Sequence, residues 1–172
     1  QLFLNRDQLQ LDPVTEITIT PGATIGIFSV IQAIIHRGDE VIIFDPSYDS
    51  YAPSVQLVGG KAIHIPLNAP EFSVDWNQVK SAITDKTRMV IVNTPHNPTG
   101  AIWSKQDWLN LIELIQDKNI IVLSDEVYEH LIYDGEKHYS ALSFPELRDR
   151  SFVVGSFGKT FHVTGWKTGY CI

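Results

Sequence analysis

Short runs rich in valine and isoleucine alternate along this chain with longer stretches of helical period, and that alternation limits the possible folds more than any other feature. EVIIFD (40–45), KAIHIPL (61–67), RMVIVN (88–93), NIIVLSD (119–125) and SFVVGSF (151–157) read as strands. Several lack the polar alternation of a half-exposed strand, as strands covered on both faces do. Helices are predicted between them over 24–37, 48–58, 75–83 and 104–118. Thr24 caps the first in this reading and Gly38 ends it, Asp75 caps the third, and Ser104 with Asp107 forms a capping box on the fourth. Such an order predicts an α/β architecture with a parallel-type sheet rather than a bundle or sandwich. The first helix is apolar almost all round, which predicts that it lies between the sheet and a further layer or a second subunit.

A chain of 172 residues, 44% hydrophobic and 19% charged, is long enough for one domain with a sizeable core. Its formal charge of -7, with lysines and arginines scattered, disfavours docking on nucleic-acid phosphates or an anionic membrane surface. The single cysteine, Cys171, has no intrachain disulfide partner, and no apolar run reaches the roughly eighteen residues that a membrane span needs. The opening QLFLNRDQLQ lacks the plan of a signal peptide, so a reducing, cytoplasmic setting is expected. Residue 1 is not methionine, and the segment from Lys167 to Ile172 reads as a strand that stops midway, so the native chain is expected to continue at both ends.

Four punctuated loops follow strands or open helices: TPGAT (20–24), NTPHNPTG (93–100), SDEVYEHL (124–131) and GSFGKTFHVTGWKTGY (155–170). In an open α/β sheet, ligands gather where such loops meet, at the carboxyl ends of the strands. Singly, each loop has a plain explanation. Proline and glycine shape turns, an acidic pair such as Asp125 and Glu126 suits a helix start, and a lone lysine is ordinarily a surface residue. A phosphate loop of the G-x-x-x-x-G-K-[ST] kind is excluded because Val153 stands where its first glycine is required. There is no G-x-G-x-x-G and no H-E-x-x-H, and the six histidines are dispersed, so no metal site is expected. His96 and His162, inside two of the loops, are open to either a pocket or a structural role.

Taken in order, SDEVY, then SFGKT, then GWKTGY, with HNPTG before them, resemble the aminotransferase family of fold type I enzymes dependent on pyridoxal phosphate (PLP). FDPSYDSYAP and SFGKTFHVTGWKTGY resemble in particular its kynurenine, glutamine and methionine branch. The resemblance implies the three-layer α/β/α large domain of a PLP transferase, with a mostly parallel mixed sheet, and residues 1–172 as most of that domain. An N-terminal arm and a C-terminal small domain would lie outside it. It implies Lys159 as the Schiff-base lysine, and a lysine just past a buried strand is expected to be desolvated, which lowers its usual pKa of about 10.4. Asp125 matches the carboxylate that pairs with the pyridine nitrogen and makes the ring an electron sink. Tyr128 and Asn97 match donors to the ring 3'-oxygen, and Tyr48 matches the aromatic residue that stacks on the ring. Ala23 and Thr24 offer free backbone N–H groups to the phosphate at a helix start, joined by Ser156 and Lys167. Lys167 departs from much of the wider family, where arginine supplies a two-pronged fork.

The activity implied is ping-pong transfer of an amino group from an amino acid to a 2-oxo acid, in a cytoplasmic homodimer. A PLP-dependent carbon-sulfur β-lyase shares the Asn, Asp, Tyr and Lys set, and a PLP-sensing domain of a transcription regulator shares the fold. The resemblance also implies that an arginine of the absent C-terminal domain grips the substrate's α-carboxylate. None of Arg6, Arg37, Arg88, Arg148 and Arg150 falls in a matching motif.

Overall fold

A computed structural model of the chain describes residues 9–172; the reading of the first eight residues, including Arg6, falls outside them. In chain order the elements are β1 (Thr18–Thr20), α1 (Ala23–Ile34), β2 (Glu40–Asp45), α2 (Tyr51–Leu57), β3 (Lys61–Pro66), α3 (Trp76–Ala82), β4 (Thr87–Asn93), α4 (Lys105–Ile115) and β5 (Ile121–Asp125). A short 3-10 turn (Ala141–Ser143), α5 (Pro145–Arg148), β6 (Ser151–Ser156), α6 (Phe157–Thr160), a second 3-10 turn (Thr164–Trp166) and β7 (Gly169–Cys171) complete them. The strands form one mixed sheet in the order β1-β7-β6-β5-β4-β2-β3. β3, β2, β4, β5 and β6 run parallel, whereas β7 is antiparallel to both β6 and β1.

The apolar strands are covered on both faces, as their unbroken Val and Ile content requires. From β2, Val41 and Ile43 enter a cluster with Ile27 and Ile31 of α1 and Tyr51 and Val55 of α2. Their neighbours Ile42 and Phe44 point the other way, onto Trp108, Leu111 and Ile115 of α4. Each such fully buried side chain contributes about 1.5–3 kcal/mol from water exclusion. The mostly parallel mixed sheet between helical layers is the fold that the alternating sequence and the resemblance imply.

Two of the expected caps form. Asp75 accepts from the backbone N–H groups of Asn77 and Gln78 at 2.9 and 3.2 Å, and Ser104 and Asp107 cap one another reciprocally. The first helix differs. Its N-cap is Gly22, at a φ of 84°, with Ala23 already helical, so Thr24 lies inside the first turn and its hydroxyl meets Tyr48 rather than the backbone. It ends at Ile34, and Gly38 serves the turn beyond at a φ of 92°. The second helix begins at Tyr51, not 48, because Pro46 to Ser50 form the loop that leaves β2. α1 buries Gly26, Ile27, Val30 and Ile31 on one side, while Ile25 is 43% exposed on the other. The second covering layer expected for it is not supplied by the described residues.

Candidate active site

The carboxyl ends of β4, β5 and β6 lie side by side, and the loops that leave them converge with the start of α1 around one cavity of about 490 Å³. All nine residues singled out in the sequence line it: Ala23, Thr24, Tyr48, Asn97, Asp125, Tyr128, Ser156, Lys159 and Lys167. Parallel pairing causes this convergence. Asn93 and Asp125 end neighbouring strands in register, and Val154, two residues before Ser156, pairs with Asp125 in turn.

Asp125 is 4% exposed, at the last position of β5. Burial raises its carboxyl from 3.8 to about 6; the Tyr51 hydroxyl and the Val127 N–H hold it down, and the charge of Glu126 adds to the rise. No cation among the described residues offsets that burial, so the cavity floor offers a carboxylate suited to a cationic ligand group. The backbone beneath it is fixed by Asn93, whose amide donates to the Asp125 carbonyl at 2.9 Å and whose carbonyl accepts from Asn97 N at 2.8 Å. One buried amide thus sets the spacing of the two loops that carry Asn97 and Asp125.

At the opposite end α1 presents the unpaired N–H groups of its first turn, the positive end of a twelve-residue helix. Ser156 and Lys167 close around it, and Lys167 takes the left-handed conformation, φ 53° and ψ 42°, that non-glycine residues seldom adopt. Gly169 permits this approach: a Cβ there would stand 2.6 Å from Ala23 N and 2.7 Å from Gly22 C. The arrangement is a cup for an anion.

Lys159, in α6, extends its amine over the Tyr128 ring, 5.8 Å from the centroid. The desolvation expected of it is not found. Its side chain is exposed, because the strand that precedes it is buried but the short helix that carries it opens onto the cavity mouth. Tyr48 lies edge-on to Tyr51, ring centroids 5.6 Å apart, and its hydroxyl is 3.3 Å from the Thr24 hydroxyl.

Sequence reasoning missed Tyr51 and Asn93. Tyr51 is 2% exposed and donates to Asp125 Oδ2 at 2.5 Å; the three-residue spacing of Tyr48 and Tyr51 in DPSYDSY was the one available signal. Asn93 opens the NTPHNPTG loop with nothing in the sequence to single it out. His96 is buried, which holds its imidazolium below the usual range although the Pro46 backbone partly offsets this, and its Nδ1 lies 2.7 Å from the Thr99 hydroxyl. It lines a neighbouring cavity of about 540 Å³ that shares Asn97 and Tyr128 with the first. His162 is exposed and lines neither.

The family described as aminotransferase class I and II matches residues 1–172. The methionine aminotransferase of Escherichia coli is 48% identical over 163 residues, which are 95% of this chain and 42% of that protein. Human kynurenine-oxoglutarate transaminase 3 is 39% identical over 175 residues, 96% of this chain and 38% of its own length. A solved Escherichia coli structure, whose study identified a methionine aminotransferase function, superposes with a TM-score of 0.97 at 46% identity, covering 99% of this chain and 45% of that one. The chain therefore spans about two fifths of the length of these curated relatives.

Proposed function

The chain belongs to the class I and II aminotransferase family, and from that premise we propose that it forms most of the cofactor-binding large domain of a PLP-dependent transaminase. Enzymes of this family and fold use PLP. The reaction is ping-pong transfer of the α-amino group of a methionine-, glutamine- or aromatic/kynurenine-type amino acid to a 2-oxo acid. One observation carries this reading: a buried carboxylate with no cation beside it among the described residues, an exposed lysine amine and an anion cup share one cavity.

When bound, PLP supplies an aldehyde that reacts with amines and a pyridinium ring that draws electron density from the substrate's α-carbon. The chain's residues suit each part of it. Asp125 would pair with the ring nitrogen and keep it protonated. The α1 N–H groups, Ser156 and Lys167 would hold the phosphate, with Lys167 supplying full charge and Ser156 a neutral donor. Tyr48 would stack on the ring, and Asn97 and Tyr128 would donate to its 3'-oxygen. Lys159 Nζ would anchor the cofactor covalently through its amine and would serve as the base for the substrate's α-proton.

Among the described residues no helix is long and apolar enough to cross a membrane. The intact enzyme is a cytoplasmic homodimer in this reading, and the exposed outer side of α1, with Ile25, supports a partner there.

The test offers the intact protein a panel of amino acids with several 2-oxo acids. Transfer of the amino group with no ammonia released is expected, and Lys159→Ala abolishes it together with any borohydride-reducible PLP adduct. Pyruvate and ammonia as products would identify a β-lyase instead. PLP binding with no turnover of any amino acid would favour a sensing domain.

A further inference from the structure

The carboxylate of Asp125 is held by more than its own strand. Its Oδ2 accepts from Tyr51 at 2.5 Å, the shortest contact made to it, whereas Oδ1 accepts a long bond, 3.3 Å, from the Val127 N–H. The terminal torsion of an aspartate is soft, so without a clamp the plane of the carboxylate would rotate easily. Tyr51 supplies the clamp from a fixed platform. It is the first residue of α2, 2% exposed, packed in the cluster with Ile27, Val55 and Ile91 and braced edge-on by Tyr48. A bond between a buried phenol and a buried carboxylate is of the strong, charge-assisted kind, and it favours the ionised form of the acid.

We propose that Tyr51 is a positioning residue: its phenol fixes the rotation of Asp125 and keeps that carboxylate ionised, leaving Oδ1 as the oxygen available to a cationic ring nitrogen. The inference rests on the transaminase reading, in which Asp125 is the partner of that nitrogen. Tyr51 itself lies outside the cavity lining; it acts through Asp125. The titratable groups that face the pair are Glu126 beside it on the chain, Tyr48 before α2 and Tyr128 after β5.

The bland alternative is that Tyr51 merely needed an acceptor for a buried hydroxyl. Two variants of the intact protein separate these readings. Tyr51→Phe keeps the ring and its packing and removes the donor, and 3-fluorotyrosine placed at 51 keeps both but donates more strongly. In the cofactor-free protein, carbon-13 NMR of labelled aspartate, assigned with Asp125→Asn, should show the Asp125 midpoint rise by roughly one pH unit or more in Tyr51→Phe. In the fluorinated variant it should fall. Equilibrium dialysis of PLP should show Tyr51→Phe weakened by roughly tenfold at pH 6.5 and much less at pH 8.5, where the carboxyl is ionised in either protein. An unmoved midpoint in both variants, with PLP binding intact in the parent, overturns the role of Tyr51 alone. A parent that fails to bind PLP overturns the transaminase reading and this inference with it.

Discussion

Because burial raises the Asp125 carboxyl from 3.8 to about 6, the folded chain holds this proton more tightly than the unfolded chain does. The sign follows from proton linkage: the native state binds the extra proton between these two values, so this group's contribution to stability falls as pH rises through that window and is flat above it. The displacement corresponds to about 3 kcal/mol. Asp125→Asn, which retains an acceptor for Tyr51, should therefore make the cofactor-free protein more stable than the parent at pH 8 by up to about 3 kcal/mol. The gap should close below pH 4, as read by urea unfolding at both pH values; a gap independent of pH would refute the buried charge. The same substitution should leave PLP bound yet slow α-proton removal by orders of magnitude, so stability and activity move in opposite directions at this residue. Asp125 was legible in the sequence because SDEVY is a specific wording. Tyr51 was not, since a tyrosine's burial and its acceptor are set by strands far away in the chain: 74 residues separate it from Asp125. Nor was the exposure of Lys159, which depends on a helical turn only four residues long.

Between residues and the whole molecule, the informative contact is where β7 passes the start of α1. β7 lies between β1 and β6, antiparallel to both, and delivers Lys167 and Thr168 to the cavity wall. Its first residue, Gly169, lies so near the helix that a Cβ would meet three backbone atoms, Ala23 N at 2.6 Å, Gly22 C at 2.7 Å and Gly155 O at 2.9 Å. Backbone cannot rotate aside as a flexible side chain does. Gly169→Ala should therefore push β7 from α1, destabilising the fold by about 1–3 kcal/mol and opening the anion cup. A lower melting temperature together with weaker PLP retention by dialysis is expected; an unchanged value of both would mean that the contact is slack. The long elements here were legible because five apolar runs and two capping signals agree on them. β1, only Thr18–Thr20 with two of its three residues exposed, carries no period to detect, and neither do the four-residue helices α5 and α6. They form because neighbouring elements hold them, which no local pattern records.

For the molecule as a whole, the placement of arginine decides what this chain can do alone. Arg88 donates to the Asn119 carbonyl, and Arg150 donates to those of Ile115 and Lys118. Both stand where strands begin, across the sheet from the cavity, and Arg37 lies in the turn that precedes β2. Arg148 donates to the Gln10 carbonyl and lies 3.9 Å from Glu16. No described arginine lines the cavity. A substrate α-carboxylate is best gripped by a planar guanidinium, which matches both oxygens at once, and in the proposed transaminase reading the cations that do line the cavity have other duties: Lys159 in the chemistry, Lys167 at the anion cup. Without that grip, the α-carbon proton is not held in line with Lys159 Nζ, and orientation of this kind accounts for several kcal/mol of a barrier. Residues 1–172 expressed alone should therefore bind PLP, through a cup and a carboxylate built wholly from this chain, yet transfer no amino groups. The intact protein, assayed beside them with the same amino acids and 2-oxo acids, should turn over. Absorbance of bound PLP reads the first property and 2-oxo acid production the second, and turnover by the isolated segment near that of the intact protein would show that the substrate's carboxylate is held from within these 172 residues.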